Sequence, residues 1–244
     1  MERILMTEQG KRFYVKDLKQ DVHTQYGFVK AGDVQKAKAG DVLRTNTGKE
    51  LIMFKPSFID VYWKIKRGAQ IIPLKDMGVI ITETGIGSKS RVVDAGAGSG
   101  GLACFLANIV KEVVTYDIRE DFIKIVEHNK ELLGLNLTIK EGNVYEAIEE
   151  KNVDLVTLDL PEPWLAVESA AKALKVGGFV MAYSPSVPQV MDFVEAVRKN
   201  EKLIFLRTLE IIEREWDVDG RKVRPKTQTI GHSGFMSFAR KIRR

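Results

Sequence analysis

The chain predicts an α/β fold, a doubly wound and mostly parallel seven-stranded sheet preceded by a small β-rich N-terminal domain. Three features carry that reading. After Lys89, short apolar runs alternate with helical ones, the pattern of strands buried on both faces by crossover helices. The first of these runs ends in an acid and a glycine-rich turn, V-V-D-A-G-A-G-S-G-G-L-A over Val92 to Ala103, and open parallel sheets bind ligands at that end of their strands. The last two apolar runs, Leu203 to Ile212 and Thr227 to Ala239, have no clear helix between them, which predicts an antiparallel hairpin on the sheet edge.

Up to about Pro56 the runs Arg12 to Val15, Val42 to Leu43 and Leu51 to Phe54 alternate with turn signals at Ala31-Gly32-Asp33 and Asn46-Thr47-Gly48-Lys49. They predict a compact β module, a barrel in its simplest form. Helical periodicity at Ser57 to Lys66 and Met77 to Thr84 links it to the main domain, so the expected division is 1–62 and 63–244. Strands are expected at Arg91 to Asp94, Val113 to Asp117, Leu137 to Lys140, Val153 to Asp159 and Phe179 to Tyr183. Helices are expected at Gly101 to Val110, Arg119 to Leu133, through Leu174, and at Val187 to Arg198.

Composition excludes several classes. No segment reaches the roughly twenty apolar residues of a membrane span, and the N-terminus carries charges where a signal peptide needs an apolar core, so a cytoplasmic protein without a membrane partner is expected. Cys104 is the only cysteine, which rules out an internal disulfide and a multi-thiolate metal site; no metal is expected, and Cys104 itself falls inside a predicted helix as a core residue. Lys and Arg number 38 against 33 Asp and Glu, a formal charge of +5. The excess gathers at Lys64 to Arg67, Arg221 to Lys226 and Ala239 to Arg244, which suits a polyanion partner, although any one cluster is equally a solvated face.

The glycine loop fits two spacings, D-x-G-x-G-x-G from Asp94 to Gly100 and G-x-G-x-x-G at Gly96, Gly98 and Gly101. Its glycines let the backbone turn and approach a ligand, and the helix that follows aims free N–H groups at it. Asp117, at the end of the next strand, can accept from both hydroxyls of a ribose, in a dinucleotide or in S-adenosylmethionine. Asp94 favours S-adenosylmethionine, because a carboxylate there can hold the loop or meet a cationic amino group through water. The A-L-K-V-G-G-F stretch at Ala173 to Phe179 resembles the helix-turn-strand of class I methyltransferases, a Rossmann-like fold, and the terminal hairpin resembles their last two strands. On that reading Ser99, Gly100, Gly101 and Leu102 hold the methionine end of the donor, with Gly96 and Gly98 in the same cofactor-binding loop, Asp117 the ribose, and Ile118 the adenine face. Asn143 either accepts from the adenine amino group or is an ordinary turn residue.

The fourth strand ends in L-D-L-P-E-P-W, Leu158 to Trp164, where many nucleic-acid amino methyltransferases carry an acceptor, prolines and an aromatic that hold a flipped base. The other reading is an acid capping the next helix with Trp164 in the core. With R-G-A-Q-I-I at Arg67 to Ile72, Lys75-Asp76, Y-S-P-S-V-P-Q-V at Tyr183 to Val190 and R-P-K-T-Q-T-I-G-H-S-G-F at Arg224 to Phe235, nearly the whole chain resembles the tRNA adenine-N1 methyltransferases of the T-loop, in particular the archaeal branch. The resemblance implies an S-adenosylmethionine-dependent enzyme acting at position 58, with 57 a second candidate, and a homotetramer that binds tRNA across subunits. It implies Asp159 as the catalytic acid, Glu162, Tyr183 and Gln189 around the base, and Gln70 near the donor. His232 matches a family histidine and receives no chemistry. Pro73-Leu74 stands where relatives carry tyrosine or histidine and then proline, and Ser233 replaces the usual threonine. Three alternatives stand beside this: a class I enzyme for another acceptor such as protein isoaspartate, a non-catalytic tRNA-binding subunit, and a dinucleotide oxidoreductase.

Overall fold

A computed structural model describes residues 3–228 and 230–244; Met1, Glu2 and Thr229, the last inside the terminal apolar run and the R-P-K-T-Q-T-I-G-H motif, lie outside it. The chain forms two compact units, one ending at Ile65 and the other spanning Lys66–Arg244.

In the first unit, β1 (Arg3–Met6), β2 (Arg12–Val15), β3 (Val22–Thr24), β4 (Gly27–Val29), α1 (Ala31–Lys36), β5 (Val42–Arg44), β6 (Glu50–Phe54) and α2 (Phe58–Tyr62) follow in order. The expected barrel is instead an open antiparallel sheet in the order β2-β1-β6-β5, with β3 and β4 forming a separate hairpin. Four strands are too few to close round a packed interior, and β2 and β5 remain as the two edges of the sheet. Ile4 and Leu5 on β1 are both fully buried, so the central strand is covered on both faces, and Leu5, Val15, Val22, Val29, Val34, Leu51 and Met53 form the core. The helix expected over Ser57 to Lys66 is a short turn started by Ser57, whose N–H and hydroxyl both donate to Asp60.

The second unit holds α3 (Leu74–Thr84), β7 (Arg91–Ala95), α4 (Gly101–Ala107), β8 (Glu112–Asp117), α5 (Glu120–Leu133), β9 (Thr138–Glu141), β10 (Val153–Leu158), a 3₁₀ turn (Pro163–Ala166), α6 (Val167–Ala173), β11 (Leu174–Ser184), α7 (Val187–Lys199), β12 (Leu203–Leu209), β13 (Trp216–Asp219), β14 (Lys222–Pro225) and β15 (Phe235–Lys241). Seven strands make one sheet in the order β12-β15-β11-β10-β7-β8-β9, in which only β15 runs against its neighbours. Val92 and Val93, and Leu155 and Val156, are adjacent pairs buried on opposite faces, as a doubly covered sheet requires. Cys104 is fully buried in α4, and burial pushes its thiol up to about 12.

As expected, the last two apolar runs form an antiparallel pair at the sheet edge, with β12 outermost and β15 between it and β11. Three details depart from expectation. β13 and β14 form a separate two-stranded ribbon within their connection, turned by Gly220-Arg221 with Gly220 at φ +55°, at the start of a cluster read only for its charge. β11 begins at Leu174, five residues before the expected Phe179; Val153 pairs with Leu174 but Leu155 with Phe179, so three extra residues bulge out, and Lys241 Nζ binds the Leu174 carbonyl at 2.6 Å. Helix α3 starts at Leu74, three residues earlier than the apolar periodicity suggested, because its first turn buries the charged residue Asp76.

Helix α7 is fixed to the sheet by Phe193, which has no exposed surface. Phe193→Ala is expected to lower unfolding free energy by about 3–5 kcal/mol, read as a fall in the urea midpoint with unchanged slope.

Candidate active site

Because β7, β8, β9 and β10 are parallel, their carboxyl ends open on one side and together form a cleft of about 560 Å³, within the range of small-molecule sites. Gly96, Gly98, Ser99, Gly101, Leu102, Asp117, Ile118, Asn143, Asp159, Glu162 and Gln70 all line it. Gly100, Tyr183 and Gln189 do not belong to that lining.

Two glycines turn the loop as expected, and packing adds a second reason for them. Gly96 has φ +83°, and a Cβ there would lie 2.1 Å from the Asp159 carbonyl oxygen; Gly100 has φ +71°, and its Cβ would meet Val126 at 2.9 Å. Protein packing, from β10 and α5, excludes side chains at both positions. Ser99 is also spoken for: its buried hydroxyl accepts from the N–H groups of Gly68 and Ala69 and donates to the Ala69 carbonyl, filling its capacity. Asn129, fully buried on α5, accepts from Lys66 N–H and donates to the carbonyls of Lys66 and Ser99. Residues 66 to 70 are thereby strapped across the loop, and Gln70 is exposed at the cleft wall.

Asp117 accepts from Gly98 N–H at 2.9 Å and Arg119 N–H at 3.0 Å, which shapes the loop and leaves lone pairs on both oxygens for a ligand. Beside it Ile118 is 68% exposed, a large apolar side chain held open to the cleft. The Arg119 guanidinium lies over the Phe122 ring, 3.9 Å from its centre, and both residues line the same wall. Asn143 acts as a turn residue: its amide oxygen accepts from Tyr145 N–H and its amide nitrogen donates to Glu146, leaving one lone pair towards the cleft.

Two carboxylates stand close together in the floor. Asp94 is buried and accepts hydroxyl donors from Thr115 and Thr157, both at 2.7 Å; burial outweighs these bonds and pushes its carboxyl up to about 6, with the Asp117 charge adding to the shift. Asp159 follows β10, held by its N–H to the Ala95 carbonyl. Burial first, and then the charge of Asp94, pushes its carboxyl up to about 7, and no side chain among the described residues donates to it. An acid so placed is free to bind a donor group or offset a positive charge on a ligand.

The neighbouring motif residues hold the frame. Tyr183 is buried, and its hydroxyl donates to Asp76, which also accepts from Ser233 and Lys75; Lys75 donates in addition to Ser233 and the Ile211 carbonyl. This five-member cluster ties α3 and β11 to the β12–β15 connection and occupies the hydroxyl of Tyr183. Trp164 also turns elsewhere, into a shallow depression with Lys199 and Lys202, since the 3₁₀ turn starting at Pro163 rotates it off the cleft. His232 bonds Glu210 at 2.6 Å and the Pro185 carbonyl at 3.0 Å, and the Glu210 bond raises its pKa, as suits a loop tether. Sequence reasoning missed Tyr145, Arg119 and Phe122 in the wall, although they stand within five residues of the motif positions Asn143 and Asp117. Among the described residues no group of three His, Cys, Asp or Glu side chains is placed to hold a metal, and no helix is long and apolar enough to cross a membrane.

Residues 62–224 match the family model described as the tRNA methyltransferase complex GCD14 subunit. The chain is 35% identical to the tRNA (adenine(57)-N(1)/adenine(58)-N(1))-methyltransferase TrmI of Methanocaldococcus jannaschii, over 98% of this chain and 94% of that protein. It is 35% identical to the tRNA (adenine(58)-N(1))-methyltransferase TrmI of Thermus thermophilus, over 90% and 88%. Among solved structures it is similar to a SAM-dependent O-methyltransferase from Thermotoga maritima, with TM-score 0.88, 30% identity and coverage of 100% and 93%. The fold is shared with the tRNA (m1A58) methyltransferase TrmI of Aquifex aeolicus, at TM-score 0.83, 24% identity and coverage of 100% and 98%.

Two expectations follow from the site. The folded Asp94 carboxyl, near 6, holds its proton more tightly than the unfolded group at 3.8, so its contribution to stability is present in acid and is lost as pH rises through about 6. Urea unfolding of Asp94→Asn should therefore gain on the wild type between pH 5 and pH 8. Tyr183→Phe removes one of three donors to buried Asp76 and should cost about 1–3 kcal/mol in the same assay.

Proposed function

The chain belongs to the GCD14 family of tRNA (adenine-N1)-methyltransferases, and on that premise we propose that it methylates N1 of an adenine in the tRNA T-loop, at position 58 with 57 as a second candidate. The observation that carries this reading is Asp159, an acid to which no side chain among the described residues donates, in the same cleft as the glycine loop and Asp117. A non-catalytic subunit has no use for both features.

The cleft fits S-adenosylmethionine in the chemistry of its wall. Loop residues 96 to 102 and Gln70 would hold the methionine end, Asp117 the ribose hydroxyls through its remaining lone pairs, Ile118 the adenine face, and Asn143 the adenine amino group. The donor supplies an electrophilic methyl group on a sulfonium. The target adenine needs no deprotonation, since its N1 lone pair is free once the base leaves its pairing, so alignment does most of the work. Asp159 accepts from the exocyclic amino group and offsets the positive charge that the ring gains with the methyl. Glu162 lies at the acceptor side of the cleft, and Tyr183 and Gln189 serve the base pocket through the residues they hold. The clusters at Lys64 to Arg67, Arg221 to Lys226 and Ala239 to Arg244, with the N-terminal unit, would bind tRNA phosphates, in a cytoplasmic homotetramer whose subunits share the tRNA.

The test is incubation with labelled S-adenosylmethionine and unmodified tRNA, followed by nucleoside analysis. Label is expected in 1-methyladenosine; label in protein overturns the reading. Asp159→Ala should keep donor affinity in calorimetry and lose about 100-fold or more in rate, and wild-type kcat/KM should fall as pH drops below about 7 and Asp159 takes up its proton.

A further inference from the structure

The segment after Asp159 has few bonds of its own, because Pro161 and Pro163 carry no N–H. One peptide group in it, between Pro161 and Glu162, is nevertheless held at both polar atoms by side chains from other elements. Glu162 N–H donates to the Tyr145 hydroxyl at 3.3 Å, and Gln189 Nε2 donates to the Pro161 carbonyl at 3.0 Å. In a trans peptide these two atoms point opposite ways, so the two side chains grip the plane from opposite sides. Gln189 is itself fixed by Ser186, whose hydroxyl donates to Gln189 Oε1 at 2.6 Å. Both bonds are solvent-exposed, so water could have satisfied the peptide group; what the side chains add is orientation.

We propose that Tyr145 and Gln189 are positioning residues that set the placement of Asp159 by orienting the Pro161–Glu162 peptide, and that Tyr145 links this placement to donor binding. The link is physical: Tyr145 lies in the loop after β9 that lines the donor side of the cleft, and its hydroxyl reaches the acceptor segment. Occupancy of the donor site confines the Tyr145 ring and so restrains the segment that carries the acid. A displacement of about 1 Å in such a group can cost about 100-fold in rate. The assignment to the methyl-transfer step rests on the function proposed above.

Tyr145→Phe keeps the ring and removes the hydroxyl; Gln189→Leu removes the other grip. Each is expected to bind S-adenosylmethionine and tRNA within about twofold of wild type and to lower kcat about tenfold or more. Amide exchange by mass spectrometry on peptides spanning residues 160–164, fragmented to separate Glu162, the one amide between two prolines, from Trp164, should show Glu162 exchanging faster in Tyr145→Phe and slower in wild type once S-adenosylmethionine is added. Because Tyr145 acts through Asp159, adding Tyr145→Phe to Asp159→Asn should cost little further rate. Wild-type kcat in both variants, additive losses in the double variant, or Glu162 exchange unmoved by the hydroxyl would overturn the proposal. If wild type makes no 1-methyladenosine, the functional reading fails alone, and the donor-dependent exchange of Glu162 still decides for or against the grip.

Discussion

The buried carboxylate of Asp94 is the interaction on which the site depends. It sits on the interior strand β7 and accepts one hydroxyl from each neighbouring strand, Thr115 on β8 and Thr157 on β10. A charge-bearing group in that position is costly to desolvate, and the two donors offset part of the cost while fastening the three strands whose ends make the cleft. The same contact brings the glycine loop against the Asp159 backbone so closely that no side chain fits at Gly96. Donor loop and acceptor acid are thus neighbours through backbone packing, before any ligand arrives.

Around that centre the chain uses two polar clamps. Ser99 and Asn129 spend their hydrogen-bonding capacity on the strap at residues 66 to 70, which explains why a serine occurs in a glycine loop. Lys75 and Asp76 form a buried ion pair whose remaining positions are filled by Tyr183, Ser233 and a carbonyl. A buried pair is stabilising only when its hydrogen bonds are complete, and here they are; its return is the docking of the long β12–β15 connection onto the active-site side of the sheet.

Much of this was legible in the chain. The alternation of apolar runs, the glycine turn after Val93 and the acid at Asp117 are local patterns with local causes, and they located the sheet, the cleft and most of its wall. The ribbon at Trp216 to Pro225 was legible but obscured, since its turn dipeptide stands among charges. The first turn of α3 was not, because a buried ion pair has no apolar periodicity. Nor was the direction of Trp164, which depends on a 3₁₀ turn whose rotation no residue type announces.

The sequence by itself determined the fold class, the family and the strand ends that form the cleft, because strand alternation, glycine spacing and the acid after each strand act over a few residues. Only the tertiary structure decided which motif residues touch the cleft and which hold those that do. Tyr183 and Gln189 stand in one motif, yet Tyr183 bonds Asp76 on α3 and Gln189 bonds the Pro161 carbonyl, both far away in the chain. A hydrogen bond between distant residues is set by sheet order and strand register, and those follow from the packing of the whole unit.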